Sequence, residues 1–337
     1  MNIDRETLYR RHRLSTSQID DLSGDIVETV LEVDHPDTNR QEPEPGEGNI
    51  SEKINQLNRI AEFIRITKRL REEGVWFIPY KGPLLSYRIY GDATYRRFKD
   101  LDILVNPGDV KRTIELLKNI GYITLSLSLP APERRERRIL KYTNQISLFR
   151  PGDDTSVEVH WRLLKDPVIK AGKMREIIEQ NTGEITFAGE KFNHFTNEFE
   201  LLHLAVHGGL HAWARLKWLV DIHEMVKRFE IDRDKFVNLV DVFRAQRMAG
   251  LCNAMLRNFF PDSPLLPVDH KIPEWFLNYA LYQSARETAL PIYLPEDYFK
   301  YTRYNLYAFP GMQYKLRRLF ILIRSMLHKY ENKWLMH

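Results

Sequence analysis

The chain has 337 residues, 43% of them hydrophobic and 12% aromatic. That is length for about two domains and apolar content for a sizeable core, which excludes a disordered polypeptide. Its net charge of +4 suits an anionic substrate such as a nucleotide, but nucleic acid is not indicated by so slight an excess. The single cysteine, Cys252, excludes an intramolecular disulfide and a multi-cysteine zinc site. With no motif around it, Cys252 reads as a small buried hydrophobe rather than a nucleophile. The opening MNIDRETLYRRHR has no apolar signal core, and no transmembrane segment of ~18 apolar residues occurs, so the expected compartment is cytoplasmic.

In chain order, residues 1–33 read as a small helical arm, and 34–49 (DHPDTNRQEPEPGEGN) as an exposed linker rich in proline, glycine and acid. From Ser51, a plausible N-cap, Ile54, Leu57, Ile60, Ala61, Ile64 and Leu70 recur at helical steps, and Gly74 marks the stop. Val75–Tyr80 is a short apolar run fitting a central strand. Lys81-Gly82 turns sharply into a helix with Pro83 at its first position. A strand opens at Asp100-Leu101-Asp102, and a helix follows from Pro107 to Gly121. Next come a strand at Tyr122–Leu127 and a basic loop or short helix, APERRERRILK. Asn144–Phe149 and Ser156–Trp161 read as strands joined by the hairpin-like turn Arg150–Asp154. A small hairpin is expected around Gly189. From Thr196 on the chain is mainly helical, ending in a basic, apolar-striped segment, Met312–Trp334. This last helix either packs on its own domain or makes a peripheral membrane or protein contact.

The chemistry concentrates in residues 75–105. Successive side chains of a strand alternate in direction, so Asp100 and Asp102 share one face while Leu101, Ile103 and Val105 enter a core. Two carboxylates side by side are costly without a cation between them. Hard ions such as Mg²⁺ are bound by one or two carboxylates plus substrate phosphates. Ser156, Glu158 and His160 share a face of their own strand, so a third acid can join the pair. The Lys81-Gly82 turn offers backbone N–H groups and a helix start to a phosphate, with Lys81, Arg96 and Arg97 as further cations. Taken singly, each piece has a blander reading as a solvated strand edge, an ordinary turn or surface charge; their order together carries the specificity.

The run of Lys81-Gly82, DLDILV at 100–105, VEVHWRL at 157–163 and HLAVHGGLHAWARLKWLVDIHEMV at 203–226 resembles the uncharacterised bacterial nucleotidyltransferase family, a branch of the DNA polymerase β-like superfamily. The resemblance covers residues 52–228. It implies an α+β protein: a minimal nucleotidyltransferase core, a mixed sheet flanked by helices, followed by a mainly helical C-terminal domain. The expected division is 1–50 arm and linker, 51–195 catalytic core, and 196–337 helical domain covering the nucleotide cleft. Carried over, Asp100, Asp102 and Glu158 are the metal ligands and catalytic acids for Mg²⁺ or Mn²⁺. Gly82 would lie under the triphosphate; Lys81, Arg96 and Arg97 are expected as further nucleotide contacts by their charge, and Arg215 and Lys217 as residues bordering the nucleotide cleft. The superfamily has Gly-Gly or Gly-Ser at the turn where this chain has Lys81-Gly82-Pro83, and its gap from turn to first acid is usually shorter.

The implied reaction moves a nucleoside monophosphate from an NTP to an unidentified hydroxyl-type acceptor, releasing pyrophosphate. Three alternatives stay open: a degenerate module of the same fold that binds nucleotide or protein without turnover, a metal-dependent phosphoesterase, and a helical interaction protein. His207 and His211 stand at zinc-binding spacing, but the glutamate of a zinc protease motif is missing. They are expected to border the cleft or to join two helices, and Gly208-Gly209 to mark a break or close packing.

Overall fold

The computed structural model describes residues 5–22, 47–124, 133–152, 155–164, 169, 171–286 and 295–320. Most of the expected linker, Leu125–Leu127 of the expected third strand, and the last segment beyond 320 lie outside them. The chain divides into two compact units, residues 2–165 with 175–196, and residues 166–174 with 197–337.

The first unit begins with α1 (Arg5–Arg10) and α2 (Thr16–Leu22). The segment expected as a small helical arm is packed into this unit. Leu8, Leu14 and Ile19 are buried, Arg97 stacks on Tyr9, and Gln18 donates to the Tyr90 hydroxyl at 3.1 Å. Then comes α3 (Glu47–Glu72), which starts four residues before the expected cap at Ser51. It ends in a turn where Gly74 N–H donates to the Arg71 carbonyl and Val75 N–H to that of Leu70. Its buried stripe is Phe63, Ile66 and Leu70, whereas Ile54 and Leu57 are half exposed.

β1 (Phe77–Pro79), α4 (Gly82–Tyr90), β2 (Asp100–Val105), α5 (Val110–Asn119), β3 (Ile123–Thr124), α6 (Glu133–Tyr142), β4 (Gln145–Phe149) and β5 (Ser156–His160) follow. The basic segment expected as loop or short helix is therefore a helix, α6. One sheet of five strands forms in the order β1-β2-β5-β4-β3. β2 and β5 run parallel and the other neighbours antiparallel, which makes it a mixed sheet. Leu101, Ile103, Val105, Val157 and Val159 join Phe63, Ile66, Ile114 and Leu117 in one core. By strand alternation, the acids of β2 and β5 lie on the other face.

The apolar run expected as a central strand is the edge strand β1. Pro79 fits an edge, since it has no N–H for a second neighbour. The run is apolar because it is covered all the same: after α7 (Ala171–Gln180), the hairpin β6 (Thr182–Phe187) and β7 (Glu190–Phe195) packs its second strand against β1, with Phe195 against Tyr80.

The second unit is helical: α8 (Asn197–Leu210), α9 (Lys217–Arg228), α10 (Arg233–Val242), α11 (Gln246–Phe259), α12 (Glu274–Ala285), α13 (Pro295–Ala308), then helix over 312–320. α8 runs unbroken through Gly208-Gly209, the expectation of close packing being the one met: a Cβ on Gly208 would strike the Trp213 ring, and one on Gly209 the Met248 sulfur. Met312, Leu316, Leu319 and Phe320 are exposed on the last helix. No helix among the described residues is long and apolar enough to cross a membrane.

Candidate active site

The site is built where β2 and β5 run side by side. Their register sets Asp100 beside Ser156, Asp102 beside Glu158 and Leu104 beside His160. In parallel neighbours, side chains in register point to the same face, so Asp102 and Glu158 meet. Asp102 is buried, and an unpaired carboxylate there would be costly. His160 Nε2 lies 3.1 Å from Asp102 Oδ1 and 3.3 Å from Glu158 Oε2, tying the two acids together. Burial alone would pull the His160 pKa down. Its hydrogen bonds to Asp102 and Glu158 outweigh that, and the net direction is up, towards the imidazolium. Ser147 on β4, in register with Glu158, donates to its other oxygen at 3.3 Å.

Lys81 lies beside the acids, its ammonium 3.6 Å from Asp102 Oδ1. It is the N-cap of α4, with a φ of 71°, and Gly82 after it also has a positive φ, 57°. Two residues of positive φ in succession make the turn sharp where α4 meets β2, and a Cβ on Gly82 would lie 3.8 Å from the Leu101 side chain and 4.0 Å from the Asp100 carbonyl. Glycine takes that conformation freely; a side chain there would be strained.

The remaining expected residues are placed as follows. Asp100 is half-buried; its Oδ2 accepts from Arg13 Nη1 at 3.0 Å and its Oδ1 from the Ser156 hydroxyl at 2.7 Å. Arg97 donates to the Tyr9 carbonyl at 2.7 Å and has Glu52 at 3.9 Å. Arg96 is buried, 1% exposed, in the loop leading to β2. Arg215 and Lys217 belong to the helical unit, where Lys217 and Asp221 are both buried. His207 and His211 pack on Trp218, joining α8 to α9. Sequence reasoning placed His160 on the face of Glu158 and did not single out Arg13. The signal for His160 was its alternation with Glu158 on one strand face. Arg13, 87 residues before its partner, left none.

Among the described residues, one group of three metal-capable side chains occurs: Asp102, Glu158 and His160, with a donor atom of each within 4.8 Å of the others. Asp100 is not of that group. Two carboxylates fit a divalent ion, and the His160 imidazole can join them once its ring nitrogen has given up its proton. The oxygens suit Mg²⁺, and the imidazole widens the fit to Mn²⁺ and other transition ions.

A lincosamide antibiotic adenylyltransferase, LnuA, solved with lincomycin, is 15% identical, with 42% of this chain and 83% of that one covered and a TM-score of 0.31. An antigenic nucleotidyltransferase-like protein from Paracoccidioides brasiliensis is 16% identical, with 59% and 86% covered and a TM-score of 0.36. No curated protein matches the chain. Residues 51–261, well over half of the chain and inclusive of every acid of the site, match the uncharacterised nucleotidyltransferase family, and the chain belongs to that family.

Proposed function

We propose that this protein is a metal-dependent nucleotidyltransferase that moves a nucleoside monophosphate from an NTP to a hydroxyl-type acceptor and releases pyrophosphate. The observation that supports it most is the pairing of Asp102 with Glu158 across parallel strands, bridged by His160, in a chain of this family. Asp102 and Glu158, with Asp100 beside them, would hold a divalent ion, which when bound would supply Lewis-acid polarisation of the phosphoryl oxygens. The chain's own residues do the rest. Lys81 and the first N–H groups of α4 bind phosphate oxygens, where the helix dipole favours negative charge. Glu158 takes the proton of the acceptor hydroxyl. The acceptor oxygen bonds to the α-phosphorus as the bond to the bridging oxygen breaks, and pyrophosphate leaves with that electron pair. His160 holds the carboxylates of Asp102 and Glu158 in place for this. Arg96, in the loop leading to β2, remains a proposed nucleotide contact.

One observation favours a second reading, a module that binds nucleotide without turnover: cations of the chain already sit on Asp100 and Asp102. Incubation with each α-labelled NTP, Mg²⁺ or Mn²⁺, and fractionated cell extract separates the readings. The transferase predicts label on an acceptor with matching pyrophosphate, falling on the order of a hundredfold in Asp102→Asn. Labelled free monophosphate would make the protein a phosphoesterase. Retained NTP with no product would make it a binding module.

A further inference from the structure

Asp100 is the acid that stands apart. Both of its oxygens are engaged, Oδ2 by Arg13 and Oδ1 by Ser156, and it lies outside the three-residue metal-capable group next to it. Arg13 is not a surface side chain that happens to reach an acid. It has a φ of 56°, a left-handed conformation that is unfavourable for a residue with a side chain, so the fold around it imposes the position. Its segment is anchored on both sides. Before it, the Tyr9 carbonyl accepts from Arg97 and the Tyr9 ring lies under the same guanidinium. After it, the Thr16 hydroxyl donates to Glu52 at 3.3 Å and Gln18 to Tyr90. Leu14, its neighbour, is fully buried.

We infer that Arg13 is a built-in competitor for the metal site: its guanidinium holds Asp100 Oδ2, and it must yield to a divalent ion that takes that oxygen. The segment of α1 and α2 thereby sets how tightly the site takes metal. This inference rests on the proposed metal site and deepens it. A guanidinium and a divalent ion cannot share one carboxylate oxygen at hydrogen-bonding distance without strong repulsion, so each weakens the other's hold. Arg13 is a positioning residue here, acting on metal through Asp100.

The test is Mn²⁺ binding to the full chain, followed by titration calorimetry or by the electron-spin signal of free Mn²⁺, with no nucleotide present. Arg13→Gln keeps the bulk and removes the charge; Arg13→Gly removes the charge and also suits the positive φ, so that a folding defect in one variant does not remove the measurement. Both should bind Mn²⁺ about three- to tenfold more tightly than wild type. In an Asp100→Asn background the Arg13→Gln change should have no effect, because the contested carboxylate is gone. Unchanged or weaker binding in both Arg13 variants overturns the inference while leaving the metal site standing. Failure of every variant and of wild type to bind Mn²⁺ overturns both, and Asp102→Asn, which should bind nothing, marks that baseline.

Discussion

At the scale of single residues the molecule handles buried charge by local pairing. Asp100 meets Arg13, Asp102 meets Lys81 and His160, and Glu158 meets His160 and Ser147. Cys252, by contrast, is alone and fully buried. Burial pushes its thiol pKa up, which leaves it a packing residue with no thiolate to react. Glu62 shows the pairing rule away from the site. It is 7% exposed, accepts from Arg65 and from the Tyr122 hydroxyl, and has Arg150 at 3.6 Å. Burial pushes its pKa up, but the hydrogen bonds from Arg65 and Tyr122 and the nearby charges outweigh that, and the net direction is down. A carboxyl lowered in the folded state contributes stability above its unfolded pKa and loses it as pH falls through the folded value. Glu62→Gln should therefore cost about 1–3 kcal/mol near neutral pH. The gap to wild type should close as pH drops below about 4, read from urea unfolding across a pH series. A gap that stays constant with pH would assign Glu62 a packing role only.

At the scale of elements, what the sequence made legible was direction, and what it hid was neighbourhood. The period-two pattern of DLDILV and SVEVH names the acid face and the core face, and the structure keeps both. The three-to-four spacing in α3 announces a helix, yet it counts Ile54 and Leu57 equally with Leu70, and only the latter is buried; periodicity does not say where a partner runs out. β1 is apolar for the same reason that a central strand would be, and Pro79 alone hinted at its edge position. In the helical unit the close approach at Gly208 is sharper. The Trp213 ring fills the space where a Cβ would stand, and Trp213 is itself held in a left-handed turn, φ 53°, at 0% exposure, so it has no room to yield. Gly208→Ala should destabilise by about 1–3 kcal/mol through overpacking. Gly172→Ala, at an exposed helical position with open space around it, should be neutral or gain about 0.4–1 kcal/mol. Equal effects in denaturant melts would mean the ring moves aside.

At the scale of the whole molecule, the family match begins at residue 51, yet the compact unit that carries the site begins well before it. A polar, charged opening followed by an acidic, proline-rich stretch looks detachable, because hydropathy over a short window cannot register burial against elements far along the chain. Here that burial is made by few side chains, Leu8, Leu14 and Ile19, interleaved with charges such as Arg13, whose partner Asp100 is 87 residues along the chain. If the segment is part of the cooperative unit, a cavity at Leu14 must be felt by the entire unit. Leu14→Ala removes a fully buried side chain, a change that costs about 2–5 kcal/mol in a packed core. For a domain of this size that lowers Tm by about 5–15 °C. Leu57→Ala, half exposed on α3, should stay within about 0.5 kcal/mol of wild type. The readout is the main unfolding transition of the full chain. A drop there, rather than a separate early transition, means that the opening segment and the acid-bearing sheet unfold as one body. A Tm unchanged by Leu14→Ala would detach the segment from the fold and, with it, the hold of Arg13 on Asp100.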